Sequence, residues 1–119
     1  MALYRKLNRE TRIRRSILSS LTKDVLENGH VNTTEQRAKE VRKFVDKMIT
    51  YAKKGDLNSR RKALAFLNND TDLVKKLFDE YATTYADRQG GYTRISIITN
   101  VFFLHFYWQI FFKIYIINT

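Results

Sequence analysis

Cations, not nucleophiles, are the residues of this chain arranged to do chemistry. From Met1 to Arg15, the residues Arg5, Lys6, Arg9, Arg12, Arg14 and Arg15 stand against Glu10 alone, a net +5, with Tyr4 beside the cluster. A guanidinium offers a planar fork of donors to phosphate oxygens and stacks on bases, so this stretch can lie along a nucleic-acid backbone. Its density is well above that of an ordinary solvated tail. A second group, Arg60-Arg61-Lys62, follows the cap candidates Asp56 and Asn58 and falls in the first turn of a short helix. Cations there oppose the helix dipole at about 0.3–1 kcal/mol each, and an anion at the free N–H groups relieves the conflict. In the third group, Arg88 and Arg94 flank Gly90, Gly91 and Tyr92. The glycines can take φ > 0 and let a phosphate approach the main chain closely. A solvated basic face explains the second group, and a plain helix-to-strand turn explains the glycines equally well.

Catalytic chemistry has no comparable footing. There is no cysteine, which excludes disulfides, thiolate metal sites and cysteine nucleophiles. The two histidines, His30 and His105, are far apart in sequence, and no carboxylate or nucleophile is arranged around His30. No P-loop, zinc spacing or nucleophile elbow is present. The expectation is a non-enzyme with no cofactor, no metal and no small-molecule substrate. Over 119 residues, 22 Lys and Arg face 12 Asp and Glu, giving +10 and a pI near 10.0. Such an excess repels itself in the compact state and favours a polyanion, either nucleic acid or an anionic membrane surface. The opening residues lack the apolar core and cleavage site of a secretory signal. They are Arg-rich, as a transit peptide would be, but run straight into the first helix and are read as part of the working protein.

The scaffold for these cations centres on Asn32 to Lys54. Ala38, Val41, Val45, Met48 and Ala52 recur at alternating steps of three and four, and Phe44 and Ile49 widen the stripe. Thr33 is the expected N-cap, answered by Gln36 in a capping box, and Gly55 is the stop after Lys53-Lys54. The outer face is expected to carry Arg37, Lys39, Arg42, Lys43 and Lys47 against Glu35, Glu40 and Asp46. Before it, a helix from about Asn8 has Ile13, Ile17, Leu21 and Val25 every fourth residue, with Leu18 and Leu26 beside them, and ends at Asn28-Gly29. His30-Val31-Asn32 is a short extended link. After Gly55 come a short helix with Leu64 and Leu67 inward, then one opened by Asn69-Asp70-Thr71-Asp72. The stripe of the latter is Val74, Leu77, Phe78, Tyr81 and Tyr85, aromatics that belong to a core rather than to a base-stacking platform.

Past Gly90-Gly91 the period changes to two. Ile95 and Ile97 share one face and Tyr92, Arg94 and Ser96 the other, the pattern of a half-buried strand. Residues 97–117 are mostly apolar and long enough to cross a bilayer, but Asn100, His105, Gln109 and Lys113 raise the insertion cost. Period two reads better: Leu104, Phe106, Trp108, Ile110, Phe112 and Ile114 fall on one face, and aromatic and β-branched residues dominate. Thr99-Asn100 can turn this strand back onto its predecessor. The expected fold class is therefore α+β, with about four helices packed around a small antiparallel sheet. The C-terminal segment forms that sheet, with the link near residue 31 as a further candidate strand. The expected organisation is an extended basic arm over residues 1–9, one domain over 10–96 and an atypical apolar segment over 97–119.

The stretches YRKLNR near the start, TTEQRAKE at the central helix, KKGDLNSRRKA after it, and KLF followed by RQGGYTRI resemble the bacterial large-subunit ribosomal protein seventeen family, in order over roughly residues 4–97. The resemblance implies an α+β protein of the cytoplasmic ribosome that binds large-subunit ribosomal RNA near the nascent-chain tunnel exit. It implies neighbouring large-subunit proteins as further partners, and a role in assembly and structure. RNA contact carries over first to Arg5, Lys6 and Arg9, then to Arg60 and Arg61, and to Arg88, Tyr92 and Arg94. Arg37 and Lys39 match the family pattern without an assigned partner. The end departs from it. After GGYTRI the family continues with a basic hairpin containing Gly and Asp, and here sixteen of residues 97–119 are Ile, Phe, Asn, Tyr or Lys. Those types have A- and T-rich codons, so the expectation is an end read in an altered frame or replaced. The competing classes are a basic helical DNA-associated protein and a membrane-anchored protein held by residues 97–117. No half-site, zinc or recognition-helix signature supports the former.

Overall fold

The computed structural model of the chain describes residues 5–98 and 111–116. Helix dominates it. The elements in order are α1 (Thr11–Asn28), β1 (His30–Thr33), α2 (Glu35–Lys54), α3 (Leu57–Phe66), α4 (Thr71–Lys76), a π-helical turn (Leu77–Tyr81), α5 (Ala82–Thr84), β2 (Thr93–Ile98) and β3 (Phe111–Ile116).

The helix α2 is the hub, because it carries the longest buried apolar stripe of any helix among the described residues. Ala38, Val41, Val45, Met48, Ile49 and Ala52 are all buried, and α1, α3, the π-turn, α5, β2 and β3 pack on it. Gly55 closes it in the left-handed conformation at φ 68°, its N–H bonded to the Tyr51 carbonyl. Three short strands pair antiparallel in the order β1-β3-β2, with Thr33 opposite Phe112 and Ile95 opposite Ile114. The expectation of helices packed around a sheet is thus corrected. The helices pack around α2, because strands of four to six residues offer less apolar surface than its twenty-residue stripe.

Local boundaries shift for identifiable reasons. The N-cap of α2 is Thr34, not Thr33, and it makes no side-chain cap bond, so the expected capping box does not form. Thr33 is instead the last, buried residue of β1, held in the ladder by its pairing with β3. The first helix begins at Thr11 rather than near Asn8. Residues 6–9 form a left-handed turn, with Leu7 at φ 57°, Asn8 at φ 54° and the Arg9 N–H bonded to the Lys6 carbonyl at 3.2 Å. Over residues 5–9 the arm is therefore folded back, not extended. The buried face of α1 is Leu18, Ser19, Thr22, Val25 and Leu26, and Ile13 is left 42% exposed. Ser19 and Thr22 are admitted because their hydroxyls donate to the Phe66 and Leu18 carbonyls at 2.7 Å each.

Two carboxylates expected on the outer face of α2 are inside. Glu40 is 1% exposed, and Asp46 is half-buried near the start of β2. Asp56 caps α3 and Asp70 caps α4, each accepting from the N–H three residues on. The expected turn at Thr99-Asn100, and the strand positions from Leu104 to Ile110, lie outside the described residues. Among the described residues no helix is long and apolar enough to cross a membrane.

Candidate nucleic-acid interface

The three cationic groups sit at separate places on this scaffold, and α2 sets their spacing. The arm meets α2 at Glu40 and the glycine turn meets it at Lys53, about 20 Å away at 1.5 Å per residue. The helix α3 starts at the Gly55 end and runs back along α2, so that Phe66 stacks on Phe44 with centroids 5.0 Å apart. It therefore links the two ends of the basic surface.

At the arm, the cations divide into two kinds. Glu40 accepts from the Arg5 backbone N–H at 3.0 Å, the Arg5 guanidinium at 3.3 Å, Arg14 Nη2 at 3.1 Å and Lys43 Nζ at 3.2 Å. Arg14 Nε also donates to the Arg5 carbonyl at 2.7 Å, which ties the arm to α1. Burial pushes the Glu40 carboxyl up. The Arg5 N–H and the Lys43 and Arg5 cations outweigh burial and hold the carboxyl below its usual 4.5. Lys6, Arg9, Arg12 and Arg15 are exposed and have no ion-pair partner among the described residues. Arg12 and Arg15 also line an open groove of about 480 Å³ between the start of α1 and the end of α3, with Phe66 and Asn68 on the opposite wall. Tyr4 lies outside the described residues.

At the second group, Arg60, Arg61 and Lys62 are exposed, in the fourth to sixth positions of α3 rather than in its opening three. The Arg60 guanidinium rests 5.1 Å from the Phe78 ring and Lys62 Nζ 5.9 Å from Tyr51, while Arg61 has no such support. Asp56 already accepts from the Ser59 N–H at 2.8 Å, so one of the free donors of the helix start is taken.

At the third group, Gly90 and Gly91 take φ 77° and 61°, and nothing lies within 4 Å of where their Cβ atoms would stand. The turn is open on its outer side, with Arg94 exposed beyond it and Arg88 half-buried before it. Tyr92 is different. It is 3% exposed, its hydroxyl donates to the Arg88 carbonyl at 3.0 Å and accepts from Lys53 Nζ at 3.0 Å, and Lys53 Nζ also donates to the Arg88 carbonyl. Burial works against a phenolate there. The Lys53 ammonium and the Gly90 backbone outweigh it, so the Tyr92 pKa falls below 10.0. Tyr92 meets Tyr85 edge-on at 5.6 Å, and Tyr85 stacks on Tyr81 at 6.0 Å. The Tyr81 hydroxyl donates to the Leu26 carbonyl at 2.6 Å, and burial first, then Tyr85 and Glu80, push its pKa up to about 12. This ladder ties the glycine turn to the ends of α2 and α1 and holds Tyr92 in the core.

Sequence reasoning overlooked Glu40 and Lys53 as organising residues. Periodicity gives no sign of either, since their partners are 26 to 39 residues away, apart from Lys43 beside Glu40. Among the described residues no cluster of His, Cys, Asp and Glu could hold a metal.

Residues 17–101 match the model of the family described as ribosomal protein L17. Three relatives, each named large ribosomal subunit protein bL17, show the extent of the likeness. That of Thermoanaerobacter sp. (strain X514) is 58% identical over 92 residues, covering 77% of this chain and 81% of its own. That of Limosilactobacillus reuteri (strain DSM 20016) is 53% identical over 105 residues, covering 77% and 83%. That of Clostridium botulinum (strain Hall) is 52% identical over 95 residues, covering 80% and 83%.

Proposed function

The chain belongs to the ribosomal protein L17 family, and on that footing we propose that it binds large-subunit ribosomal RNA as a structural part of the subunit. The proposal extends to support of assembly near the nascent-chain tunnel exit, with neighbouring large-subunit proteins as further contacts. The observation that carries it is that the three groups contain exposed cations with no ion-pair or ring partner among the described residues: Lys6, Arg9, Arg12, Arg15, Arg61 and Arg94. Cations left unpaired on separate faces suit a ligand whose phosphates recur along a folded surface. Arg60, Lys62, Arg88, Gly90 and Gly91 complete the contact surface, the glycines through open main chain. Tyr92, Arg5 and Arg14 contribute by holding that surface in shape. The reading also treats the chain as α+β, with the C-terminal segment closing the sheet against β1 and β2.

The mechanism is neutralisation of phosphates with release of counterions, added to recognition of RNA shape. The test is co-sedimentation of the full chain with purified large subunits through a salt wash. Retention is expected, and its loss when Arg12, Arg15, Arg61 and Arg94 are replaced by alanine. Absence from large subunits, or equal affinity for duplex DNA and ribosomal RNA, overturns the proposal.

A further inference from the structure

One carboxylate decides how the arm is used. Glu40 is 1% exposed, yet it is ringed by Arg5, Arg14 and Lys43 at 3.0–3.3 Å. A buried carboxylate is costly unless cations and hydrogen bonds compensate it, and here they come from two segments distant in sequence. Arg14 closes the ring by donating from Nε to the Arg5 carbonyl while its Nη2 holds Glu40. Just beyond Arg5, Leu7 and Asn8 both have positive φ. Asparagine tolerates that region and leucine does not, so the turn persists only if its surroundings over-determine it. Leu7 packs on the core on one side of Arg5 to Arg9, and the Glu40 clamp holds the other.

We infer that Glu40 is a positioning residue for RNA binding: it folds the arm before RNA arrives and divides the arm's cations into anchors and contacts. Arg5 and Arg14 are the anchors. Lys6, Arg9, Arg12 and Arg15 are the contacts: the clamp holds Lys6 and Arg9 in the folded, exposed turn, and Arg12 and Arg15, carried by α1, line the α1–α3 groove. The inference rests on the proposed RNA-binding role for the meaning of the contacts, but not for the prefolded arm. A disordered arm would pay its ordering entropy at the moment of binding, and a clamped one has paid it during folding.

Two readouts on the full chain test this. The first needs no RNA: trypsin cleavage after Lys6 and Arg9, followed by mass spectrometry. It is expected to be slow in the wild type and at least tenfold faster in Glu40→Ala and Arg14→Ala, on the order of one lost ordering contact. The second is affinity for a large-subunit RNA fragment as a function of salt. Glu40→Ala and Arg14→Ala are expected to weaken binding about tenfold without lowering the salt slope, because no phosphate contact is removed and only ordering is lost. Arg12→Ala and Arg15→Ala are expected to lower the slope itself by about 0.7–0.9 each. In a background with Lys6, Arg9, Arg12 and Arg15 all replaced by alanine, Glu40→Ala is expected to add nothing further to the loss of affinity. Glu40→Gln, which keeps an acceptor and the side chain's volume, is expected to fall between wild type and Glu40→Ala and serves where the alanine variant does not fold. Cleavage unchanged in Glu40→Ala and Glu40→Gln overturns the inference, as does a slope lowered by Arg14→Ala. If cleavage responds as expected while the wild type binds no RNA, the RNA-binding role fails and the clamp stands.

Discussion

Salt is the perturbation that interrogates the surface as a whole. Among the exposed cations of the three candidate groups, six have no ion-pair or ring partner among the described residues: Lys6, Arg9, Arg12, Arg15, Arg61 and Arg94. If each meets one phosphate, and Arg60, Lys62 and Arg88 contribute by stacking or position rather than by a phosphate each, log K for the RNA falls against log salt with a slope of about −4 to −5, at 0.7–0.9 per contact. Raising salt fourfold, from about 50 to 200 mM, then weakens binding by a factor on the order of 300 to 2,000. Arg5 and Arg14 are excluded from the sum because Glu40 already occupies them. Counting both in would steepen the slope by about 1.4–1.8. Fluorescence anisotropy of a labelled large-subunit RNA fragment, titrated with the full chain at five salt concentrations, resolves that difference. A slope shallower than about −2 means that most of these cations meet no phosphate, and it refutes the surface described here.

Three further outcomes follow from buried titratable groups. Because Glu40 titrates below its usual 4.5, its contribution to stability is fully present above pH 4.5 and is lost as pH falls through the lower folded value. Protection of the Arg5 amide, which donates to Glu40, from hydrogen exchange should therefore fall in that acid window in the wild type and lose most of its pH dependence in Glu40→Gln. Tyr81, raised to about 12, has the opposite sign: its contribution is present below pH 10.0 and lost as pH rises through about 12. Tyr81→Phe should cost about 1 kcal/mol in urea unfolding through the lost bond to the Leu26 carbonyl, and should remove the highest-pH step from the ultraviolet tyrosine titration. Burial, opposed by Arg42, Thr93 and the Tyr92 backbone, raises the Asp46 pKa, and its Oδ1 and the Thr93 hydroxyl lack geometrically sound partners. Asp46→Asn is expected to raise the melting temperature at neutral pH, where the ionised carboxylate is penalised, and to leave it nearly unchanged in acid; a fall at neutral pH contradicts this account.

What could be read in the sequence was whatever is encoded within one element. The α2 stripe is a repeat of three and four inside twenty residues, and Gly55 needs only its own backbone freedom to end the helix. The strands β2 and β3 fall within the segments whose period changes to two. The start of α2 was less legible, because choosing Thr34 over Thr33 depends on the pairing of Thr33 with Phe112, some eighty residues on in the chain. The inner face of α1 was misjudged because a hydrophobicity pattern treats Ser19 and Thr22 as polar, whereas a hydroxyl that finds a carbonyl can be buried. The same limit applied to the site. Charge density marked the arm correctly as a cationic cluster, but density says nothing about direction. Whether an arginine faces RNA or Glu40 is decided by a contact across 26 to 35 residues.

The charge on which the proposed RNA binding rests is also a cost to the free protein, and the two effects have opposite salt dependence. With 22 basic against 12 acidic side chains, the chain carries a net +10 that repels itself in the compact state. The exposed Lys39–Glu35 pair at 2.7 Å offsets little of this, while Glu40 is screened least because it is buried. The Debye length falls from about 30 Å at 0.01 M to about 10 Å at 0.1 M, so added salt removes mainly the long-range repulsion and leaves the Glu40 clamp largely intact. The free protein should therefore melt at a higher temperature at 0.2 M than at 0.01 M salt, over the same range in which its RNA affinity falls. Differential scanning fluorimetry of the wild type measures the first effect and anisotropy the second. A melting temperature that falls with salt would mean that attractive pairs govern the fold's electrostatics. In that case the net charge does not limit the stability of the free protein, and the balance described above fails.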